Sequence, residues 1–214
     1  MRPGIGHRIA GERGSAMVAA LFSIILIITV CLGGLYLAST YIARSEANGK
    51  LSCAIASSDT FERETKNSDD LARALGRRLG QSLYANGWSG TGTLTVCELT
   101  ANEIRDLTKG KVTGESDRAI SVSLEIEYGY NPLVPGSIIG APDGAVTLHA
   151  KKTWALHPYS PAGSVWRPSS LSRGTYTITV DPYGNVSIAN GKELAPSDLT
   201  DEARTALKGV LGVK

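Results

Sequence analysis

The sequence predicts an α+β protein: an N-terminal transmembrane helix that extends into a helical segment, then a mostly antiparallel sheet, ending in a hairpin and a C-terminal helix. Three patterns in the 214 residues indicate this class. No charged residue lies between Arg13 and Arg44. Apolar and polar residues alternate strictly over 120–130, as in a strand with one buried face. A turn sequence at 181–185 joins two further short alternating runs.

The uncharged block is too long for the apolar core of a signal peptide. Residues 16–43 would extend about 42 Å as a helix, whereas a bilayer core of about 30 Å needs about 20 residues. A signal-peptide core is usually about 7–15 residues, and no A-x-A pattern closes this block. Ala54-Ile55-Ala56 fits that pattern but lies beyond three charged residues. We therefore predict a membrane-anchored helix in preference to a cleaved signal peptide or a buried soluble helix.

The basic N-terminal flank predicts the orientation of this helix. Arg2, Arg8 and Arg13 precede the block, and basic flanks stay in the cytoplasm. We expect residues 1–15 to be cytoplasmic, 16–43 to cross the cell (inner) membrane once, with the bilayer as a partner, and the rest to be extracytoplasmic.

The exported part, 44–160, is predicted to begin with helix and continue as sheet. The first helix meets no strong stop before Asn48-Gly49, and the pattern leaves open that helix resumes after it. A second helix is predicted from an N-cap at Ser68 to a C-cap at Asn86-Gly87. Its leucines recur every four residues and form one apolar stripe: Leu71, Leu75, Leu79 and Leu83.

Three strands follow in this part of the chain, over 93–99, 119–130 and 145–159. In the third, Lys152 falls on the apolar side, which indicates an edge strand or a bulge. After a Pro- and Ser-rich stretch, residues 161–214 are predicted to form a hairpin and a helix capped by Ser197 or Thr200. The pattern leaves open whether this segment packs on the same domain or forms its own.

The residues that carry most enzyme chemistry are scarce. The sequence has three histidines, and His149 and His157 would lie about 26 Å apart along an extended strand, too far to share a metal ion. It contains no HExxH, GxSxG, Walker loop or CxxC motif. From Arg44 onward the basic and acidic residues balance, so a nucleic-acid surface is not expected. We predict no enzyme activity, no catalytic residue, no cofactor, no metal site and no nucleic-acid partner.

The two exported cysteines, Cys53 and Cys97, are predicted to form a disulfide, since that compartment is oxidising. Such a bridge would stabilise the fold by roughly 3–4 kcal/mol. The alternative is a pair of free buried thiols.

Two stretches resemble the TadE-like pseudopilins of tight-adherence (Flp) pilus systems. The first is RGSAMVAALF, Arg13 to Phe22, where a basic residue and Gly lead into the apolar helix. The second is VSLEIEYGYNPLVPG, Val122 to Gly136, followed by AVTLHAKKTWAL. The resemblance implies a membrane-anchored structural or assembly component with pilin-like or secretion-platform partners.

The resemblance also implies a prepilin-peptidase site between Gly14 and Ser15. Family members carry a Glu five residues after the cut, which is thought to pair with the new amine. Here Ala19 stands at that position, and an unpaired amine in hydrocarbon is costly. The chain is therefore either a processed building block or an uncleaved or minor component. An alternative function is an extracytoplasmic binding or sensor module for which the helix is a passive anchor.

Overall fold

The computed structural model describes residues 6–59, 71–111, 118–140, 144–156 and 171–213, and it confirms the α+β class. The helices are α1 Gly6–Asp59, α2 Leu71–Ala85, α3 Ala101–Thr108 and α4 Asp201–Val210. The strands are β1 Gly90–Thr100, β2 Arg118–Tyr130, β3 Val146–Leu156, β4 Arg173–Val180 and β5 Val186–Asn190. Short 3₁₀ helices lie at Gly136–Ile139 and Pro196–Asp198.

The strands form one five-stranded antiparallel sheet in the order β3-β2-β1-β4-β5. The C-terminal hairpin joins this sheet beside β1, with Leu94 opposite Tyr176. β3 lies at one edge, as the position of Lys152 predicted. The hairpin turn is stabilised by Asp181, whose carboxylate accepts the backbone N–H groups of Tyr183 and Asn185, each at 2.8 Å.

The chain divides into two compact units. The first contains the described residues up to Ala43 together with Gly129–Val146, and the second contains Arg44–Tyr128 and Thr147 onward. The apolar loop after β2 therefore belongs with the apolar part of α1.

The main core of the second unit lies on one face of the sheet, against α1 and α2. The alternating residues of β2 turn their apolar side chains into it, as predicted. Leu75 and Leu79 of the predicted stripe are fully buried there. The C-terminal part of α1 contributes Ala47, Leu51 and Ala54.

A smaller core lies on the opposite face, beneath α3 and α4. It contains Cys97, Leu99, Ile104, Ala119, Leu207 and Leu211. Helix α3 was not predicted from the sequence, although Thr100 and Glu103 form the T-x-x-E pattern of a capping box. The N–H of Thr100 donates to the Glu103 carboxylate at 2.8 Å.

Element ends agree with the predicted caps in two places. α2 ends with Gly87 at φ +73°, and the N–H of Trp88 bonds to the carbonyl of Leu83 at 3.0 Å. α4 is capped by Thr200, whose hydroxyl accepts the N–H of Ala203. α1 runs through Asn48-Gly49 to Asp59 without a break, so helix does continue beyond the point where the sequence left its continuation open. The predicted N-cap at Ser68 lies outside the described residues.

Candidate functional site

The N-terminal part of α1 presents large apolar side chains on every side. Phe22 is 70% exposed and Leu26 is 65% exposed, and Met17, Ile25 and Leu37 are exposed to a similar extent. A helix with apolar residues all around its surface is stable only in an apolar environment. Within the described residues, this is the one helix long and apolar enough to cross a bilayer.

Several hydroxyl side chains of this segment donate to carbonyl groups of the same helix. The hydroxyl of Ser23 donates to the carbonyl of Ala19 at 2.9 Å, and that of Thr29 to Ile25 at 2.9 Å. Thr40 likewise donates to Tyr36 at 3.0 Å. Hydrocarbon offers no hydrogen-bond partners, so internal satisfaction is what a polar residue in a membrane helix needs. These bonds remove one objection to placing the segment in lipid.

One face of α1 changes from exposed to buried towards its C-terminal end. Ser39 and Ala43 are buried in the first unit. Ala47, Leu51 and Ala54 continue the same helical spacing and are buried in the second. Small residues at several of these positions allow a close approach of the neighbouring backbone. The same helix therefore carries the apolar span and part of the domain core, with no break between them.

The loop after β2 lies in the first unit with the apolar part of α1. The hydroxyl groups of Tyr130 and Thr40 form a hydrogen bond at 2.5 Å. In the loop, Val134 is buried. Leu133 and Ile138, by contrast, are 74% and 57% exposed. The loop thus holds two aliphatic side chains outward beside the end of the apolar segment.

Lys50 connects three parts of the second unit. Its ammonium group donates to the carbonyl of Asn86 at 2.7 Å, lies 3.4 Å from the Glu46 carboxylate and sits 5.8 Å from the centroid of the Tyr128 ring. Burial and a hydrogen bond with Glu46 raise the pKa of Tyr128. These contacts join α1 to the end of α2 and to β2.

The polar cluster that the sequence analysis missed centres on Arg173 at the start of β4. The guanidinium of Arg173 pairs with the Glu103 carboxylate at 2.5 Å and donates to the Glu98 carbonyl at 2.9 Å. The buried Glu98 carboxylate accepts the N–H of Ser172 at 3.1 Å. Partial burial raises the pKa of Glu103, but hydrogen bonds from Thr100 and the charge of Arg173 outweigh it and leave the pKa below its usual value.

This cluster ties together β1, α3 and β4 through hydrogen bonds and an ion pair. Its charged groups bond to one another and to backbone groups at the junction of β1, α3 and β4. Among the described residues, no group of three or more His, Cys, Asp or Glu side chains is placed to hold a metal ion. His149 pairs with Glu125 at 3.5 Å on the surface, and His157 lies outside the described residues.

The predicted disulfide does not form, because Cys53 and Cys97 are both free. Cys53 is exposed on α1, while Cys97 is buried in the smaller core. Side chains alternate between the two faces of a strand. Val96 faces α1 and the main core, so Cys97, one residue later, faces α3 and α4 on the other side of the sheet.

The predicted processing site lies inside a helix. Gly14 and Ser15 are both within α1. Ala19 is one helical turn further on, and its carbonyl accepts the Ser23 hydroxyl. Whether the Gly14–Ser15 bond is cut stays a prediction.

Comparisons with protein-family models, curated proteins and solved structures find no match for this chain. The TadE-like resemblance therefore stays a prediction.

Proposed function

We propose that this chain is a membrane-anchored, pseudopilin-like structural or assembly component of a tight-adherence (Flp) pilus or a related secretion system. Its N-terminus is cytoplasmic, α1 crosses the inner membrane once, and the sheet lies outside. The observation that carries the proposal is that α1 exposes an apolar stretch long enough to span a bilayer and then supplies Ala47, Leu51 and Ala54 to the domain core.

A structural role is favoured over a passive tether by this shared helix. A tether needs only length and hydrophobicity, and it can join its domain through an irregular linker. Here no non-helical residue separates the span from the core-forming residues. A Cβ atom added at Gly33 or Gly34 would meet nothing within 4 Å in the described structure. Another helix can therefore approach the span closely at this point. Lateral packing of apolar helices is what assembly of a pseudopilin requires.

The test is capture of partners from native membranes in mild detergent. The intact chain should recover pilin-type or secretion-platform proteins through α1 and the sheet domain. The matched variant replaces residues 16–38 with an unrelated apolar sequence of equal length, which keeps the anchor but changes the helix surface. This variant should stay in the membrane and lose those partners.

Two outcomes would contradict the proposal. Recovery of the intact chain as a lone monomer would argue against an assembly role. Full capture by the helix-replaced variant would show that the exported domain acts alone, as a binding or sensor module on a passive anchor.

N-terminal sequencing of the membrane-extracted protein separates the two pseudopilin forms. A chain beginning at Met1 is an uncleaved or minor component at the tip or base of an assembly. A chain beginning at Ser15 is a processed building block despite Ala19. In the uncut chain, Ala19→Glu restores the residue expected five positions after the cut, and processing should then appear.

A further inference from the structure

The loop between β2 and β3 carries an apolar surface that nothing in the described structure covers. Residues 129–142 contain no charged side chain. Leu133 and Ile138 are among the most exposed aliphatic residues outside α1. Pro135 precedes a short 3₁₀ helix, Gly136–Ile139, which ends at Gly140 with φ +77°. The loop thus contains a turn of 3₁₀ helix and exposes the aliphatic side chains of Leu133 and Ile138.

The position of this loop along α1 is fixed by contacts within the first unit. Tyr130, the last residue of β2, bonds to Thr40 on α1. Thr40 lies four residues before Arg44, the first charge after the apolar block, or about 6 Å along the helix axis. The loop therefore lies beside the C-terminal end of the apolar block.

The length of that block places Thr40 at the boundary of the bilayer. Residues 16–43 extend about 42 Å, roughly 12 Å more than the hydrocarbon core. Some residues at the ends must then lie among the lipid headgroups. Tyr41 is highly exposed at this level, and tyrosines are enriched where a membrane meets water.

We propose that Leu133 and Ile138 insert into the outer headgroup region of the bilayer that α1 crosses, so that the loop is a second membrane contact of this chain. This inference rests on the membrane anchoring in the proposed function. Lipid is the favoured occupant because the surface is aliphatic and uncharged and continues the apolar surface of α1. Each buried aliphatic side chain adds to membrane attachment and restrains the loop against the lipid surface.

The experiment uses the full chain in vesicles of phosphatidylcholine and phosphatidylglycerol, with Cys31→Ala and Cys53→Ser. Leu133→Cys and Ile138→Cys are made separately and labelled with an environment-sensitive dye, while buried Cys97 stays unlabelled. The matched control is Tyr183→Cys, at a turn residue that is 86% exposed. Each sample is quenched in parallel with iodide in water and with a lipid carrying a nitroxide near its headgroup.

Dyes at positions 133 and 138 should lose most of their fluorescence to the nitroxide lipid and little to iodide, with the reverse at 183. Equal iodide quenching at all three positions would overturn the proposal. Protection from iodide that grows with protein density, without nitroxide quenching, would overturn it in favour of a second copy as occupant.

Flotation of the same vesicles separates this proposal from the anchoring on which it rests. If the chain floats with lipid after alkaline carbonate treatment but both loop dyes remain in water, only the loop proposal fails. If the chain does not float, the membrane anchor itself fails.

Discussion

Cys97 follows Val96 in β1, so its side chain lies on the opposite face of the sheet. It therefore packs in the smaller core, whereas Val96 packs in the main core. Its thiol packs with Leu99 and Ile104 rather than facing Cys53 on α1. Burial raises the pKa of Cys97 to about 11, and the nearby charge of Arg173 opposes the rise only in part. A thiol of this kind is a poor nucleophile near neutral pH, because the reactive form is the thiolate.

We therefore expect Cys53 and Cys97 to react differently. In native protein in mild detergent at pH 8, an alkylating reagent should modify Cys53 and spare Cys97, as read by peptide mass spectrometry. Denaturation without reductant should then expose Cys97 to the same reagent. Protection of both residues until a reductant is added would instead reveal a disulfide.

Glu103 should make stability depend on pH. Its folded-state pKa lies below the usual value of 4.5, so its charged form stabilises the fold above that pH, and the contribution is lost as the pH falls through the lowered pKa. Glu103→Gln removes the ion pair with Arg173 and should cost about 1 kcal/mol at pH 7. The difference in the free energy of unfolding between this variant and the wild type should decrease at acidic pH. Urea unfolding in mild detergent measures it.

Glu125→Gln is the matched control for that measurement. Glu125 pairs with His149 on the surface, where both side chains are exposed, so its removal should change the free energy of unfolding by less than about 0.5 kcal/mol. An equal loss in the two variants, or a Glu103→Gln effect that persists in acid, would contradict the assigned role.

At the scale of elements, α2 packs closely on β4 and β5 through two glycines one turn apart. A Cβ atom at Gly80 would lie 2.6 Å from Cγ1 of Val186, and one at Gly76 would lie 2.9 Å from Cδ1 of Ile188. Valine is β-branched and cannot easily turn away. The helix therefore needs glycine at this contact despite its low helix propensity.

Gly80→Ala should destabilise the fold by about 1–3 kcal/mol, because overpacking outweighs the gain in helix propensity. Gly49→Ala is the matched control in α1, where a Cβ would meet nothing within 4 Å, and it should stabilise by about 0.5–1 kcal/mol. Thermal unfolding monitored by circular dichroism compares the melting temperatures of the Gly80→Ala and Gly49→Ala variants. Similar melting temperatures would show that α2 moves away from the sheet without cost.

At the scale of the whole molecule, the basic flank predicts which side of the membrane holds the sheet. With Arg2, Arg8 and Arg13 retained in the cytoplasm, alkaline phosphatase fused after Lys214 should be active, and a green fluorescent protein fused there through the same export route should be dark. The opposite pattern would reverse the orientation. Changing the three arginines to glutamate should reduce the phosphatase signal.

Much of the fold follows from repeating patterns in the sequence. The alternation in β2 predicted its buried face, and the leucine spacing predicted the packed side of α2. For the start of α4 the sequence offered Ser197 or Thr200, and Thr200 is the cap. Lys152 on the apolar side indicated an edge strand or a bulge, and β3 is an edge strand. Each of these signals is local, because it depends on residues within a few positions of one another.

What the sequence left open or missed depends mostly on contacts between distant residues. The sequence left open whether helix resumes after Asn48-Gly49; α1 does continue, because Ala47 and Leu51 pack in the core and that packing outweighs the propensity of one glycine. The T-x-x-E pattern at Thr100 was a readable signal for α3, although no apolar stripe supported it. Glu98 is a charged residue in a strand, and its sequence context does not show that it is buried. Its carboxylate is buried and accepts the N–H of Ser172, the residue before β4.

By itself the sequence determined the uncharged helix, the strand order along the chain and the scarcity of catalytic residue types. Only the tertiary structure decided that the C-terminal hairpin joins the sheet at β1, that Cys53 and Cys97 face different cores, and that an apolar loop lies beside the end of the apolar helix. The physical reason is that periodicity tells which side of an element is apolar, whereas the partner of that side is set by packing among all the elements together.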